Sequence, residues 1–214
     1  MEKHNSVLII GNGEDYSATK IKDLIKTSDK IIAADGGLKI LDKLNIIPDF
    51  IIGDADSCPA GLIQKYQHIE SITFNPEKDF TDSELAIKKA IELKAKKIYL
   101  SAVTGTYLDH SLANVYNLCK YRKPDLEISI ITKNSKVFPI FSEKQFFGIK
   151  DRRFSLIPLT PVIGLFMDGC KYEFPQSNIE QFMYGISNVF SSSEAKIKIK
   201  DGILICILFD KGYT

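Results

Sequence analysis

The N-terminal part of the chain alternates short apolar runs with helical periodicities. SVLII, KIIAA, DFIIG, SITF, KKIYLSA and EISIIT are rich in Ile and Val, and most end in turn residues. Unbroken apolar runs of this kind suit strands covered on both faces. Between them the pattern predicts helices over residues 18–27, 38–44, 60–66, 81–93 and 109–119. In the last, Leu112, Val115, Tyr116 and Cys119 recur at i, i+3, i+4 and i+7, which predicts one apolar face. This βαβ rhythm predicts an α/β domain with a mostly parallel sheet flanked by helices.

After about Asn134 the rhythm changes. Short strand-like pieces follow: KVFPI, KQFFGI, RFSLIPL and VIGLFM, then AKIKIK, which alternates strictly. Asp201-Gly202 separates AKIKIK from ILICILF, a strong local signal for a hairpin between them. The expectation is an α/β domain over residues 1–134, followed by a small antiparallel β-sandwich-like domain over 135–214.

Composition narrows the class. A chain of 214 residues can bury a sizeable core as one domain or two. Its 44% hydrophobic and 26% charged content is ordinary for a globular protein. A net charge of +1 weighs against a broad nucleic-acid-binding field. Cys58, Cys119, Cys170 and Cys206 are scattered without a C-x-x-C pair, so neither a zinc knuckle nor a disulfide framework is predicted. They read as buried thiols in a reducing cytosol. The apolar run near the N-terminus is too short for a signal-peptide core, and no stretch approaches a membrane span. A cytoplasmic protein with no membrane or nucleic-acid partner is expected.

The candidate chemistry lies in the segments after the strands, where open α/β sheets bind ligands. Asp35-Gly36-Gly37 follows KIIAA, and Gly53-Asp54-Ala55-Asp56-Ser57 follows DFII. SITF leads into Lys78-Asp79-Phe80-Thr81-Asp82, and KKIYLSA into Gly105-Thr106-Tyr107-Leu108-Asp109-His110. Two like charges 4 Å apart repel by about 1 kcal/mol in water and about 4 at an effective dielectric of 20. A solvated turn or a divalent cation can absorb that cost. Some of these residues suit helix starts: Asp56 or Ser57 can cap the helix after Pro59, and Thr81 to Glu84 forms a capping box. Capping leaves Lys78, Asp79 and Asp82 unexplained. The convergence of acids, glycines and helix N-termini fits a Mg²⁺-polyphosphate site. There carboxylates hold the cation, backbone N–H groups at Gly36 and Gly37 receive phosphate oxygens, and Lys78 adds a point charge. Three rival motifs fit less well. Gly11 to Tyr16 lacks the third glycine of a dinucleotide fingerprint. An EF-hand opening at Asp54 would need ligands where Cys58 and Lys65 stand. No Gly-Lys-Ser/Thr is present for a Walker loop.

Taken in order, ADGG (34–37), GDADS (53–57), KDFTDSELA (78–86), TGTYLDHSLAN (104–114), GCKYEF (169–174) and ISN (186–188) resemble the thiamine pyrophosphokinase family. The resemblance covers nearly the whole chain. It implies transfer of the pyrophosphoryl group of ATP to the hydroxyl of thiamine, giving AMP and thiamine diphosphate, with Mg²⁺. It also implies a homodimer whose pocket draws on both domains and both subunits. Carried over by position, Asp54, Asp56 and Asp82 are the expected Mg²⁺-binding and catalytic acids, supported by Asp35 and Asp79. Asp82 is the expected proton acceptor. Lys78, Thr81, Asp109, His110 and the Gly105 backbone are expected around the nucleotide. Tyr172 matches an aromatic placed against thiamine, where a cation–π contact is worth about 0.5–2 kcal/mol; core packing is the other fate open to it. Ser187 and Asn188 match a motif lining that pocket. One departure stands out: Thr106 and Tyr107 occupy places where the family usually has Gly-Arg. Two alternatives are a pyrophosphokinase acting on another alcohol, such as a hydroxymethylpterin, and a weakly active thiamine or nucleotide sensor. A nicotinamide-dependent enzyme would instead bind its cofactor at Gly11 to Tyr16.

Overall fold

The computed structural model describes residues 5–53, 57–72, 80–174, 178–180 and 185–211. Strand β1 (Ser6–Ile10) is buried at every position, as an apolar run without alternation requires when both its faces are covered. It starts a unit spanning Met1–Lys133. Along the chain follow α1 (Ala18–Ile25), β2 (Lys30–Ala34), α2 (Gly37–Lys43), β3 (Phe50–Ile52), α3 (Ala60–Lys65), β4 (Glu70–Ile72), α4 (Asp82–Glu92), β5 (Lys97–Ser101), α5 (Leu108–Lys120) and β6 (Glu127–Ile131). The strands lie parallel in the order β6-β5-β1-β2-β3-β4. On one face Leu8 and Ile10 pack with Ile21 of α1, and with Leu38 and Leu41 of α2. Helix α4 buries Leu85, Ala86, Ile87 and Ala90. The chain winds from β1 out to β4, then returns through α4 to β5 on the other side of β1. That reversal makes the β1/β5 boundary the topological switch point.

Local chemistry at the helix starts is partly as the sequence suggests. Thr81 caps α4, its Oγ1 accepting from Glu84 N at 3.3 Å. The second half of that capping box does not form. Glu84 is buried, and its carboxylate receives Lys120 Nζ and Tyr121 OH, each at 2.5 Å, so it ties α4 to the end of α5. Helix α3 begins after Pro59 without a side-chain cap, and Ser57 turns to Asp35 instead. The apolar face expected on α5 is also corrected. Leu112 and Tyr116 are exposed, while Asn114, Asn117 and Leu118 are buried. Asn114 can face inward because its Nδ2 donates to Val103 O at 2.8 Å.

The second unit spans Asn134–Thr214 and is all antiparallel. Its strands are β7 (Ser135–Ile140), β8 (Glu143–Phe147), β9 (Arg153–Pro158), β10 (Phe166–Asp168), β11 (Gly185–Val189), β12 (Glu194–Lys198) and β13 (Leu204–Phe209). They form a sheet in the order β11-β9-β13-β7 and a second in the order β10-β12-β8. Phe138, Phe154, Leu156 and Cys206 of the first pack against Phe146, Met167 and Ile197 of the second. Phe190 sits between, with ring centroids 4.2 Å from Phe154 and 5.0 Å from Phe146. The result is a β-sandwich.

Three strand expectations change. The Asp201-Gly202 hairpin does not form: β12 pairs with β8 and β10, whereas β13 pairs with β7 and β9. Both strands are flanked on two sides, so neither offers the other an edge. Asp201 bridges to Ile163 instead, and Gly202, at φ 103, carries the chain from one sheet to the other. VIGLFM is broken at Gly164 (φ 67), leaving only Phe166–Asp168 as strand. Strand β11 was not predicted, because Gly, Ser and Asn dilute its apolar signal.

Candidate active site at the switch point of the parallel sheet

A cavity of about 360 Å³ opens at the strand ends beside the switch point. Asn12, Asp35, Ser57, Thr81, Asp82 and His110 line it, with Phe80, Tyr107 and Asn114. Five strand ends or helix starts thus contribute to one place. Asn12, Phe80 and Asn114 were not singled out from the sequence. Asn114 had a readable signal: Tyr107, His110, Ser111 and Asn114 recur at helical spacing and face the cavity together.

Asp35 and Asp82 line the cavity at the ends of β2 and β3. Asp35 holds φ 48, a left-handed conformation that Asp tolerates better than most residues. Ser57 Oγ donates to its Oδ2 at 3.0 Å, while the buried Oδ1 takes no hydrogen bond among the described residues. A buried carboxylate oxygen without a partner is costly, and a hard cation or a ligand hydroxyl would relieve it. Asp82 is the first residue of α4. Its carboxylate lies so close over Gly53 that a Cβ added there would stand 3.0 Å from Asp82 Cγ. The chain reaches this close approach because Gly53 adopts φ 115, which side-chain-bearing residues avoid. Gly53 is also the threshold of GDADS, so Asp82 sits where that segment begins. Asp54, Asp56, Lys78 and Asp79 lie outside the described residues. Among the described residues no three His, Cys, Asp or Glu side chains gather as a metal-holding group. Asp35 and Asp82 are the described carboxylates on this cavity that could hold a metal.

On the α5 side several expected ligand groups are already engaged. The Gly105 N–H donates to Ser111 Oγ at 3.1 Å, and Ser111 Oγ donates to Tyr107 O at 2.7 Å. Asp109 Oδ1 accepts from the His110 N–H at 2.8 Å. The His110 ring tilts against Tyr107, with centroids 5.8 Å apart. The loop after β1 is stitched to the loop after β5: the Gly11, Gly13 and Asp15 N–H groups donate to Ser101 O, Ala102 O and Thr104 O. Those three amides are spent within the protein and are not offered to a phosphate.

Behind the cavity, Glu84, Lys120 and Tyr121 fix the start of α4. Burial is the strongest influence on Glu84 and pushes its carboxyl up. The hydrogen bonds from Lys120 and Tyr121, with the Lys120 charge, outweigh it and hold the carboxyl below its usual range. Lys88 Nζ and Lys120 Nζ stand 3.1 and 5.4 Å from the Phe80 ring centroid, so the residue before Thr81 is held as well.

In the β-sandwich, Tyr172 is 56% exposed, so it is not a core residue. Ser187 is half-buried at φ 63, within a register shift between β11 and β9. Asn188 is buried, and its carboxamide engages the Tyr172 backbone.

An open parallel sheet with carboxylates and helix starts at its switch point, followed along the chain by an antiparallel sandwich, defines a two-module α/β ligand-binding protein. Residues 21–130 match the thiamin pyrophosphokinase catalytic domain, and residues 142–204 match the thiamin pyrophosphokinase vitamin B1 binding domain. A thiamine pyrophosphokinase of Bacillus subtilis is 31% identical over 186 residues, covering 82% of this chain and 85% of the relative. A crystal structure of thiamine pyrophosphokinase from Bacillus subtilis superposes with a TM-score of 0.84 at 25% identity, covering 96% and 99% of the two chains. That from Geobacillus thermodenitrificans gives 0.82 at 26%, covering 96% and 98%. The chain belongs to the thiamine pyrophosphokinase family.

Proposed function

We propose that the protein transfers the pyrophosphoryl group of ATP to the hydroxyl of thiamine, releasing AMP and forming thiamine diphosphate. The match of a catalytic and a vitamin B1 binding module within one chain carries this reading. The second module favours thiamine over a hydroxymethylpterin. The reaction attaches the thiamine oxygen to the β-phosphorus and breaks the bond between that phosphorus and the α,β-bridging oxygen. AMP leaves with that oxygen. Such a transfer depends on in-line placement and neutralised charge more than on covalent help from the protein.

Asp54, Asp56 and Asp82, with Asp35 beside them, would hold Mg²⁺. The bare Oδ1 of Asp35 and the seat of Asp82 on Gly53 suit that role. The ion would neutralise the phosphates and orient the leaving group. In this reading Asp82 would accept the hydroxyl proton. Thr81, held as the α4 cap, keeps that carboxylate at the helix start, where the dipole favours negative charge. Lys78, Asp79, Asp109, His110 and the Gly105 segment border the nucleotide. Tyr172 and Ser187 serve the thiamine side. The protein acts as a cytoplasmic homodimer with each pocket completed at the subunit interface.

The test follows AMP release with ATP, Mg²⁺ and thiamine. Asp56→Asn is expected to abolish turnover while melting like the parent chain. Full activity in that variant refutes the metal assignment. Thiamine binding without AMP release by the parent chain would favour a sensor.

A further inference from the structure

Asn188 matches a motif read as pocket lining, yet its side chain is turned inward. It is 6% exposed. Its Oδ1 accepts from Tyr172 N at 3.1 Å and from Val189 N at 2.8 Å, and its Nδ2 donates to Tyr172 O at 2.7 Å. The amide orientation follows from its partners, since only Nδ2 can donate to a carbonyl.

The neighbouring backbone explains why this contact exists. Segment 170–172 runs antiparallel to the end of β11. Cys170 bridges to Phe190, and Lys171 N donates to Val189 O at 2.8 Å. In that register Tyr172 stands opposite Asn188, and Ser187 would oppose Glu173. There the register of β11 with β9 shifts between Gly185 and Asn188, and Ser187 takes φ 63 with its N–H turned to Ser155 Oγ at 3.1 Å. The ladder is irregular at this point. The Asn188 carboxamide engages both backbone groups of Tyr172, presenting the donor and acceptor pair of a peptide group. Two residues further on, Phe174 packs on Gly185, where a Cβ would stand 2.6 Å from the ring.

Both flanks of Tyr172 are therefore fastened, while its own ring is 56% exposed. The ring face already accepts a cation: Lys171 Nζ stands 5.1 Å from its centroid. We infer that Asn188 is a positioning residue, which by standing in for a peptide group fixes the Tyr172 ring as a platform for the cationic ring of the substrate. This rests on the proposed reading of Tyr172 as a thiamine contact.

The experiment is a double-mutant cycle on the full chain, with separate KM values for thiamine and ATP. Tyr172→Ala is expected to raise the thiamine KM about tenfold, within the range of one cation–π contact. Asn188→Ala is expected to act similarly, and both variants should keep the ATP KM. The double variant should be no worse than Tyr172→Ala, since Asn188 has nothing left to position. Should Asn188→Ala not fold, Asn188→Asp keeps the acceptor for Tyr172 N while turning a carboxylate oxygen, in place of the donor, on Tyr172 O. Multiplying effects would overturn the inference, because Asn188 would then meet the substrate itself. An unchanged thiamine KM in the Asn188 variants, with Tyr172→Ala impaired, would overturn it and leave the Tyr172 assignment standing. An unchanged KM in Tyr172→Ala would remove that assignment and the inference with it. If the parent chain releases no AMP, the same cycle is read from thiamine binding.

Discussion

Replacing Gly53 by Ala tests whether Asp82 must sit where β3 ends. Two effects arise, and they can be separated. The first is backbone strain. Gly53 has φ 115, outside the left-handed well near φ +50 to +70° that side-chain-bearing residues reach, so a strain of about 1–3 kcal/mol is expected. The second is collision. The new Cβ would stand 3.0 Å from Asp82 Cγ and 3.2 Å from both carboxylate oxygens. Ordinary carbon contact begins at about 3.5 Å, so the carboxylate must retreat by about half an ångström. Misplacing a catalytic group by about 1 Å can cost about a hundredfold in rate, so a fall of roughly tenfold in kcat is expected. Gly148→Ala is the control: its φ is 64 and nothing lies within 4 Å of the added Cβ. It should lose about 1 kcal/mol and no activity. AMP release and urea unfolding on both variants give the comparison. If Gly53→Ala keeps the parent kcat while losing stability as Gly148→Ala does, the position of Asp82 over Gly53 has no catalytic role.

Two other perturbations address the surroundings of the site. Glu84→Gln removes the charge that holds Lys120 and Tyr121; with Lys120 53% exposed, a loss of about 1–2 kcal/mol is expected near pH 7. Because folding lowers the Glu84 carboxyl below its usual 4.5, its stabilisation is present above that pH and fades as pH falls through the folded value. Unfolding midpoints of parent and variant should therefore converge on acidification, and a gap that widens there would contradict the assignment. Tyr107→Arg supplies the charge that the family resemblance leads one to expect there. It should lower the KM for ATP several-fold through charge-assisted hydrogen bonds, and an unchanged or raised KM would show that this position does not meet the phosphates.

The α/β half was legible because parallel strands buried on both faces write themselves as unbroken apolar runs, as β1 and β6 do. Chain order around the sheet was not written there. The structure shows β5 returning beside β1, which adds Asn114 of α5 to the rim that holds Asp35 and Asp82. The β half was less legible for three local reasons. Asp201-Gly202 carries hairpin chemistry, but pairing on both flanks of β12 and β13 outweighs it. Gly164 interrupts an apolar run at one backbone angle. The GISNV strand trades apolar content for a bulge. On α5 the apolar period pointed the wrong way, because a buried hydrogen bond lets Asn114 occupy an inward position that Leu112 would otherwise be expected to take. Residue types named the acids and the aromatic; they did not reveal that the Gly105 amide and the Asn188 carboxamide are already committed within the protein.

The two-sided pairing of β13 has a consequence for how the chain acquires its shape. Leu204–Phe209 lies between β7 and β9, so the final described strand is the middle plank of its sheet. The earlier strands of this antiparallel sheet must wait for it: β7 and β9 expose open edges until this late segment slots between them. A nascent or clipped product lacking it would keep two unpaired strand borders available to other chains, making self-association its characteristic failure. The parallel module, whose strands are all synthesised before residue 134, meets no such delay.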